Sequence, residues 1–442
     1  MTRGAASGRA PGSSPALDGA PALDIGLLAR AGLFVLALLI FWITLEPLKD
    51  LSDGALLEPT EAADRFNQVV FLTLFGLSLW ALRAGGWRRA APLLHPAYGA
   101  VLGWFLLDCA FAINPGLSLR RLILSAMVMA IVGVLLLLPR SQRQFEAWIG
   151  GVAITVVVLC FLAVALVPHL AVHQADAAAE VNLTGSWRGI YDHKSRTGPM
   201  MVVFLILGAY LTGRWRLVLG PCLFVLAGTF LAFTGAKQPQ ALVPFVFAWA
   251  WLAGRIRSVP LLLAVCLVPL VLYLTFTVGS AAIPAVAAFN ERVMSDPTFT
   301  NRTGIWGFAL ASFLERPLTG YGFMGFWNTE YVRYAVDAAR NPWAATASHS
   351  HDSYLDLALT TGLPGLALAV WALVVLPILD FARARRDPAS RDLALLFFRI
   401  WLFAVFLGSM ETLFFQRDEA FWVAFLIAVF GLRYLTAYRV RE

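Results

Sequence analysis

Long apolar stretches separated by short polar segments run along most of this 442-residue chain. Runs of about 18 apolar residues are long enough to cross a bilayer as helices. The alternating segments of about ten residues that build a membrane β-barrel are missing, so each run is predicted to be a helix. Twelve spans are predicted, at 27–45, 66–83, 97–113, 122–139, 148–168, 198–213, 217–233, 240–254, 259–278, 361–380, 392–410 and 420–437.

The composition supports the same interpretation. Hydrophobic residues make up 59% of the chain and charged residues 14%, whereas an ordinary soluble domain has about 25% charged residues. A water-soluble fold of this size has no way to bury so much apolar surface. The net charge of +7 is spread over short loops, which is typical of membrane orientation and not of nucleic-acid binding. We therefore expect an all-α polytopic membrane protein with about twelve transmembrane helices.

Basic residues indicate how the helices are oriented. With the N-terminus in the cytoplasm, every inside loop is short and basic, as the positive-inside rule requires. The chain then divides into a disordered cytoplasmic tail (1–25), nine spans with an outside loop at 169–197 (26–278), a large outside loop (279–353) and three further spans (354–442). Both termini are expected in the cytoplasm. The inside residues that indicate this are Arg83, Arg88, Arg89, Arg140, Arg143, Arg214, Arg216, Arg255, Arg257, Arg383, Arg385, Arg386, Arg391, Arg439 and Arg441.

Other cations are predicted outside, where the positive-inside rule disfavours them. Several lie close to span ends, and guanidinium and ammonium groups there suit a phosphate or pyrophosphate. An anionic lipid-linked substrate is therefore expected. A short amphipathic helix at 304–315 is expected to lie on the membrane surface. The outside cations are Arg120, Arg121, Arg188, Lys194, Arg196, Lys237, Arg292, Arg302, Arg316, Arg333 and Arg340.

His351 is the candidate general base. It lies where the large loop returns to the membrane, just before a helix expected to begin near Asp352, and histidine is the usual base near neutral pH. The outside carboxylates are scattered and form no DxD pair, which gives a metal-dependent sugar transferase little support. Neither a metal nor a cofactor is expected.

Arg399 is a charge inside a predicted span, so it must face the bundle interior or a wet cavity. Its candidate ion-pair partners are Glu411, Asp418 and Glu419.

Four segments resemble the O-antigen ligase and polymerase superfamily, and they occur in the family's order. HDSYL (351–355) followed by GLPGL (362–366) resembles its HNxYL…GLxGL signature, and RTGIW (302–306) with ERPLTGYG (315–322) resembles its R…W…PLxGxG block. GIYDHKS (189–195) is similar to its GxxxHKN segment. TGAK (234–237) is similar to the S-x-S-K turn of exopolysaccharide polymerases. Asp352 stands where the family has Asn or Ser, and Ser195 where it has Asn.

The resemblance implies a metal-independent GT-C-type glycosyltransferase in the bacterial inner membrane, with a periplasmic active site. It would take a glycan from undecaprenyl pyrophosphate to an acceptor hydroxyl, on a glycan or on lipid A–core, in exopolysaccharide or lipopolysaccharide O-antigen biosynthesis. Arg302 would hold the pyrophosphate leaving group. His351 would take the proton from the acceptor hydroxyl or orient that hydroxyl. The substrate-binding candidates are His193, Lys194, Arg196, Lys237, Arg120 and Arg121.

Several functions remain open at this point. The segments 189–195 and 234–237 favour a polymerase slightly over a ligase, and a third branch of the family transfers glycans to protein hydroxyls. A transporter or flippase, with the outside cations as its vestibule, is the alternative from another class. Such proteins tend to carry internal repeats, which the sequence does not show.

Overall fold

The helical content of the chain matches its apolar pattern. The computed structural model describes residues 25–50, 65–174, 183–214, 218–335, 344, 347–416 and 419–438. The predicted tail at 1–24 lies outside the described residues, as do Arg216, Arg340, Asp418, Arg439 and Arg441. Within the described residues there is no β-strand, and Val172 and Trp187 form an isolated bridge.

Fifteen numbered helices form the bundle and its loops. They are α1 (Ile25–Ile43), α2 (Arg65–Gly85), α3 (Pro96–Asp108), α4 (Pro115–Leu135), α5 (Gln142–Leu166), α6 (Lys194–Thr212), α7 (Leu219–Thr234), α8 (Lys237–Arg255), α9 (Val259–Phe276), α10 (Pro284–Val293), α11 (Arg302–Glu315), α12 (Ser353–Val370), α13 (Leu376–Ala384), α14 (Arg391–Leu407) and α15 (Ala420–Ala437). A π-helical turn at Trp371–Val375 joins α12 to α13. The shorter helices Pro168–Ala171 and Glu330–Ala335 lie in connecting segments.

Each predicted span coincides with a helix, and most of these helices are also long and apolar enough to cross a membrane. In the described residues, eight stretches are long and apolar enough to cross a membrane, and two shorter apolar helices lie at Pro96–Phe111 and Leu219–Thr234. The polytopic all-α fold is therefore supported. The figure of twelve crossings stays a prediction.

Two helices occupy the centre of the bundle. In α6 and in α15, 78% of the spanning window is buried inside the protein, whereas only 22% is buried in the span Val259–Ala281. A helix that is apolar all round and enclosed by protein belongs to the core, and one that is apolar and open faces lipid. Both central helices begin at the same end of the bundle, because Arg196 in α6 pairs with Glu419, which immediately precedes α15. We call this the site end.

The loop between α9 and α12 has its own apolar core. Trp306, Tyr321, Phe326 and Leu359 are among its buried members, and α11 packs directly against α12. The predicted helix at 304–315 is present as α11, and the large loop contains the expected short helices. The position of α11 on the membrane surface stays a prediction. A folded loop of this kind provides a rigid mount for functional side chains.

Two of the sequence motifs meet at a kink in α12. Gly362 has a φ of +67° inside the helix, and a Cβ there would come within 2.1 Å of the Leu318 carbonyl oxygen. The Leu363 N–H donates to the Pro317 carbonyl at 2.8 Å, and Tyr321 N–H donates to the Leu359 carbonyl at 3.2 Å. The segment ERPLTGYG therefore lies against GLPGL, and glycine is required at the contact because any side chain would collide with the backbone.

We predict that Gly362→Ala destabilises the protein. The alanine would have to adopt a left-handed backbone and displace Leu318, which together are expected to cost more than about 2 kcal/mol. The apparent melting temperature of the purified protein in detergent should fall by several degrees. Gly103→Ala in α3 is the matched control, because a Cβ there meets no atom within 4 Å. Equal melting temperatures for both variants would contradict the importance of this contact.

Candidate functional site

Arg302 is positioned by an unusual turn at the start of α11. Phe299, Thr300 and Asn301 all have positive φ, and the Asp296 carboxylate holds this turn by accepting from the Thr300 N–H at 2.8 Å and from the Thr298 hydroxyl at 2.6 Å. Positive φ costs energy in residues other than glycine, so the turn persists because its surroundings enforce it. The result is a guanidinium that points away from the turn toward the loop between α14 and α15.

The guanidinium of Arg302 reaches two groups on that loop. Its Nη1 donates to the Met410 carbonyl, and its Nη2 lies 2.9 Å from Oε1 of Glu411. An arginine has five N–H donors, so these two bonds leave donors for a further anionic group.

His351 reaches the same carboxylate from the other side. It has a φ of +57°, and its Nδ1 lies 3.4 Å from Oε2 of Glu411. Its neighbours hold the backbone in place: the Trp306 indole donates to the Ser350 carbonyl at 3.0 Å, and Asp352 caps α12 by accepting from the Leu355 N–H at 2.7 Å. Asp352 therefore faces its own helix. Asn and Ser, which the family has at this position, are also good N-caps.

Glu411 is anchored by the first turn of α12. The Ser353 N–H donates to the Gly408 carbonyl at 2.7 Å, its hydroxyl donates to the Glu411 carbonyl at 2.8 Å, and the Leu413 N–H donates to that hydroxyl at 2.8 Å. Burial alone would raise the pKa of Glu411, but Arg302 and the two histidines, His351 and His349, outweigh it and hold the pKa well below its ordinary value. Glu411 is therefore ionised and can only accept hydrogen bonds.

The ionised carboxylate decides which nitrogen of His351 is free. Because Glu411 only accepts, the Nδ1 of a neutral His351 must carry the proton and donate it. The other nitrogen, Nε2, then presents a lone pair. Enzymes commonly use a carboxylate in this way to orient a histidine that acts as a general base. The hydrogen bond between the two groups often shortens when substrate binds.

A second cationic cluster lies at the start of α6. Arg196 pairs with Asp192 at 2.9 Å and with Glu419 at 2.8 Å. Its charge also lowers the pKa of His349, whose ring centroid lies 4.1 Å from that of His351. Arg196 therefore acts on the same region as the Arg302–Glu411–His351 group. Together with Asp192, Lys49 and Asn67 it lines a cavity of about 220 Å³ between α1, α2 and the start of α6.

Lys194 and His193 hold the segments around this cluster. His193 caps α6 by accepting from the Ser195 N–H at 3.0 Å, and its ring lies 5.0 Å from that of His173. The Lys194 backbone N–H donates to Nε2 of His173 at 3.3 Å. Its ammonium lies 3.5 Å from the Gly235 carbonyl. Both residues thus have structural partners at the site end.

The remaining candidates lie around this region. Lys237 is the exposed first residue of α8, and the adjacent Gln238 amide lies 3.5 Å from the Leu407 carbonyl, where α14 ends. Arg121 donates to the Met324 carbonyl from α4, and Arg120 lines a shallow pocket with Asn114 and Gly116. The substrate-binding roles of these residues stay predictions.

Glu411 and Glu419 are functional candidates that the sequence analysis assigned to the wrong partner. Both were considered as partners of Arg399, but Glu411 pairs with Arg302 and Glu419 pairs with Arg196. Arg399 instead lies over the Phe247 ring, with its guanidinium carbon 4.7 Å from the centroid. The sequence could have indicated these ion pairs through the rule that an enclosed cation needs a counterion. The error arose because Arg399 is a charge inside a predicted span, and Glu411 and Glu419 lie in the loop that follows that span.

No metal-binding group is found in the described part of the chain, taking as the criterion three or more His, Cys, Asp or Glu side chains placed to hold an ion.

His349 provides a pH-dependent test of this arrangement. Burial and the neighbouring His351 lower its pKa from 6.5 to about 3. Between those values the unfolded chain binds a proton that the folded protein does not, so stability is present above pH 6.5 and is lost as the pH falls toward 3. We predict that His349→Asn, which keeps an acceptor for the His351 N–H, reduces this loss by on the order of 1–2 kcal/mol between pH 7 and pH 5.

The measurement is the apparent melting temperature of the purified protein at a series of pH values. His169→Asn, on the exposed turn Pro168–Ala171, is the control and should follow the wild type. Parallel wild-type and His349→Asn curves would contradict the assigned burial of this histidine.

Comparison with known proteins gives a family match over part of the chain. The O-antigen ligase family model matches residues 221–370, about a third of the chain, while no curated protein matches it. The matched stretch contains Arg302, His351 and the contacting segments 315–322 and 362–366, and it ends before Glu411. It supports a membrane function of the O-antigen ligase or polymerase type in surface polysaccharide synthesis. The expected resemblance to the O-antigen ligase and polymerase superfamily is thereby confirmed for residues 221–370.

Proposed function

We propose that this protein transfers a glycan from undecaprenyl pyrophosphate to an acceptor hydroxyl at the periplasmic face of the bacterial inner membrane, without a metal. The Arg302–Glu411–His351 group carries the proposal. It combines a fixed cation with free donors and an oriented histidine, joined by one carboxylate. Transfer from a pyrophosphate requires these two functions, a charge to meet the leaving group and a base to meet the nucleophile.

His351 acts on the acceptor in the proposed reaction. The acceptor hydroxyl oxygen attacks the anomeric carbon of the donor glycan, forming a new glycosidic bond, and its proton passes to Nε2 of His351. Glu411 keeps the proton on Nδ1 and stabilises the imidazolium that forms. Glu411 is thus a positioning residue, and its action on substrate passes through His351.

The donor side belongs to the cations. The bond between the anomeric carbon and the pyrophosphate oxygen breaks, and the leaving group departs as an anion. Arg302 would hold that anion through the donors that Glu411 and Met410 leave unused. Fixed cations at this point stabilise the transition state more than the ground state, because the charge on the bridging oxygen grows as the bond breaks.

The cavity beside Arg196 suits the lipid-linked end of the donor. Its walls include the apolar residues Ile40, Phe41 and Phe71 as well as Arg196 and Lys49. A prenyl chain and a pyrophosphate need this combination of apolar and cationic surface. Arg196, Lys194 and Lys237 are the proposed helpers that bring the pyrophosphate from this cavity to Arg302.

The membrane arrangement is part of the proposal. We infer twelve crossings in a GT-C-like fold, with both termini in the cytoplasm and the site end in the periplasm. The basic residues Arg140, Arg214, Arg255 and Arg385 lie at the ends of helices away from the site end. This distribution is the one that the positive-inside rule predicts for that orientation.

The favoured acceptor is the next lipid-linked repeat unit, to which the growing glycan is transferred, so the proposed activity is that of a polymerase. The two segments that resemble the polymerase branch touch each other, since the Lys194 ammonium lies 3.5 Å from the Gly235 carbonyl. They therefore form one structural unit beside the site. Lipid A–core is the alternative acceptor, for which the same chemistry would serve.

We predict that Glu411→Gln lowers kcat by about 10²-fold or more, because the amide no longer selects the tautomer of His351. The KM for the lipid-linked donor should change much less, which separates loss of orientation from loss of binding. Glu291→Gln, on the exposed α10, is the matched control and should retain activity. A Glu411→Gln protein with wild-type kcat would remove Glu411 from the mechanism.

We also predict that His351→Ala and Arg302→Ala each abolish glycan transfer by folded protein. The assay uses purified protein in nanodiscs with EDTA and lipid-pyrophosphate-linked repeat units, with and without lipid A–core. Glycan that lengthens on repeat units alone supports a polymerase, and product that requires lipid A–core supports a ligase. Transfer by both variants at the wild-type rate would overturn the site assignment, and no transfer by the wild type under either condition would favour transport.

A further inference from the structure

An arginine-lined cavity lies at the end of the bundle opposite the site end. Helices α8 and α14 both connect the two ends, which the 17 residues of α14 place about 25 Å apart. The cavity has a volume of about 250 Å³ and lies between α8, α13 and α14. Its charged lining consists of Arg255, Arg385, Arg391 and Arg399.

Four guanidinium groups around one cavity are electrostatically unfavourable unless an anion joins them. No carboxylate is among the described residues that line it. The charge of Asp392 acts on Arg399. However, the Asp392 side chain is 66% exposed, and its Oδ2 lies 3.7 Å from Nη1 of Arg214. Like charges in a partly buried setting repel one another strongly. The positive-inside rule explains why arginines occur at this end, but it does not explain their convergence on one cavity.

The four guanidinium groups differ in their hydrogen-bond and stacking partners. Arg385 donates to the Ala253 and Ile256 carbonyls and so closes the end of α8. Arg255 stacks on Trp251, with its guanidinium carbon 3.4 Å from the ring centroid. The Nε of Arg399 is buried and has no hydrogen-bond partner in the described part of the chain. Arg399 and the exposed Arg391 therefore carry the capacity for a further acceptor.

The rest of the lining is apolar and open to the surroundings of the bundle. Trp251 is 56% exposed, and Leu395 and Phe381 complete the apolar wall. A free phosphate would make no use of this surface. A phospholipid would place its phosphate among the arginines and its glycerol and first methylenes against the apolar wall.

We propose that this cavity binds the headgroup of an anionic phospholipid in the adjacent leaflet. The lipid phosphate accepts hydrogen bonds from Arg399 and Arg391, and Arg255 and Arg385 add charge. Binding there would join α8, α13 and α14, of which α8 and α14 also reach the site end. The proposal is independent of glycan transfer, and it gives Arg399 an anionic partner inside the cavity, where the described lining residues supply no carboxylate.

The test compares lipids on purified, delipidated protein in detergent. Phosphatidylglycerol should raise the apparent melting temperature of the wild type, and phosphatidylcholine and inorganic phosphate should not. Arg391→Gln combined with Arg399→Met should weaken the phosphatidylglycerol response, moving its midpoint concentration at least about tenfold higher. Arg257→Gln is the matched control, because it removes one charge at the same end from an exposed residue that does not line the cavity.

Two results would overturn the proposal. One is an unchanged midpoint in the double variant, which would place lipid binding elsewhere. The other is an equal response to inorganic phosphate, which would make the ligand a free anion. If the double variant does not fold, Arg391→Gln alone at the exposed start of α14 gives the same comparison, with a smaller expected shift. A shift in Arg391→Gln equal to that in Arg257→Gln would also count against the cavity.

Discussion

The carboxylate of Glu411 is the point at which separate parts of this chain become one site. It contacts Arg302 from the large loop and His351 from the segment before α12, and its own backbone is held by Ser353. A charge in so enclosed a position is tolerated only because it is paired and hydrogen-bonded. The pairing in turn orients the side chains of Arg302 and His351, which are 49 positions apart in the sequence. The chemistry proposed for the protein depends on this common partner.

The folded loop between α9 and α12 holds the residues of this contact in place. Its apolar core around Trp306 and Tyr321 holds α11 against α12, and the backbone of ERPLTGYG lies on the kink at Gly362. The buried Asp356 accepts from the Trp327 indole, the Ser350 N–H and the Thr412 hydroxyl. One carboxylate therefore ties together the loop, the turn before His351 and the segment that follows Glu411. The family motifs can be understood as backbone contacts that place the site, with the reacting side chains at their edges.

The two ends of the bundle use their cations differently. At the site end Arg302 and Arg196 have carboxylate partners from the last loop, which leaves fixed and partly neutralised cations suited to a charged substrate that must also leave. At the opposite end four arginines surround a cavity whose described lining residues include no carboxylate. A resident lipid suits the second case, because it need not be released in each reaction cycle. Both patterns arise from the cost of an isolated charge in a membrane-embedded fold.

The sequence by itself determined the helices and the resemblance to the O-antigen ligase family over residues 221–370, because apolar runs and short motifs are local properties. It also indicated Arg302 and His351, since each stands inside or beside a motif. The tertiary structure alone decided which carboxylates meet which cations. The need of a charge inside a predicted span for a counterion favoured Arg399 as the partner of Glu411 and Glu419, whereas the bundle places Arg399 within α14 against Phe247 and brings Arg302 and Arg196 to the last loop. Ion pairing depends on distance in space, and in a bundle of antiparallel helices residues far apart along the chain lie at the same end while near neighbours can be separated by part of a membrane span.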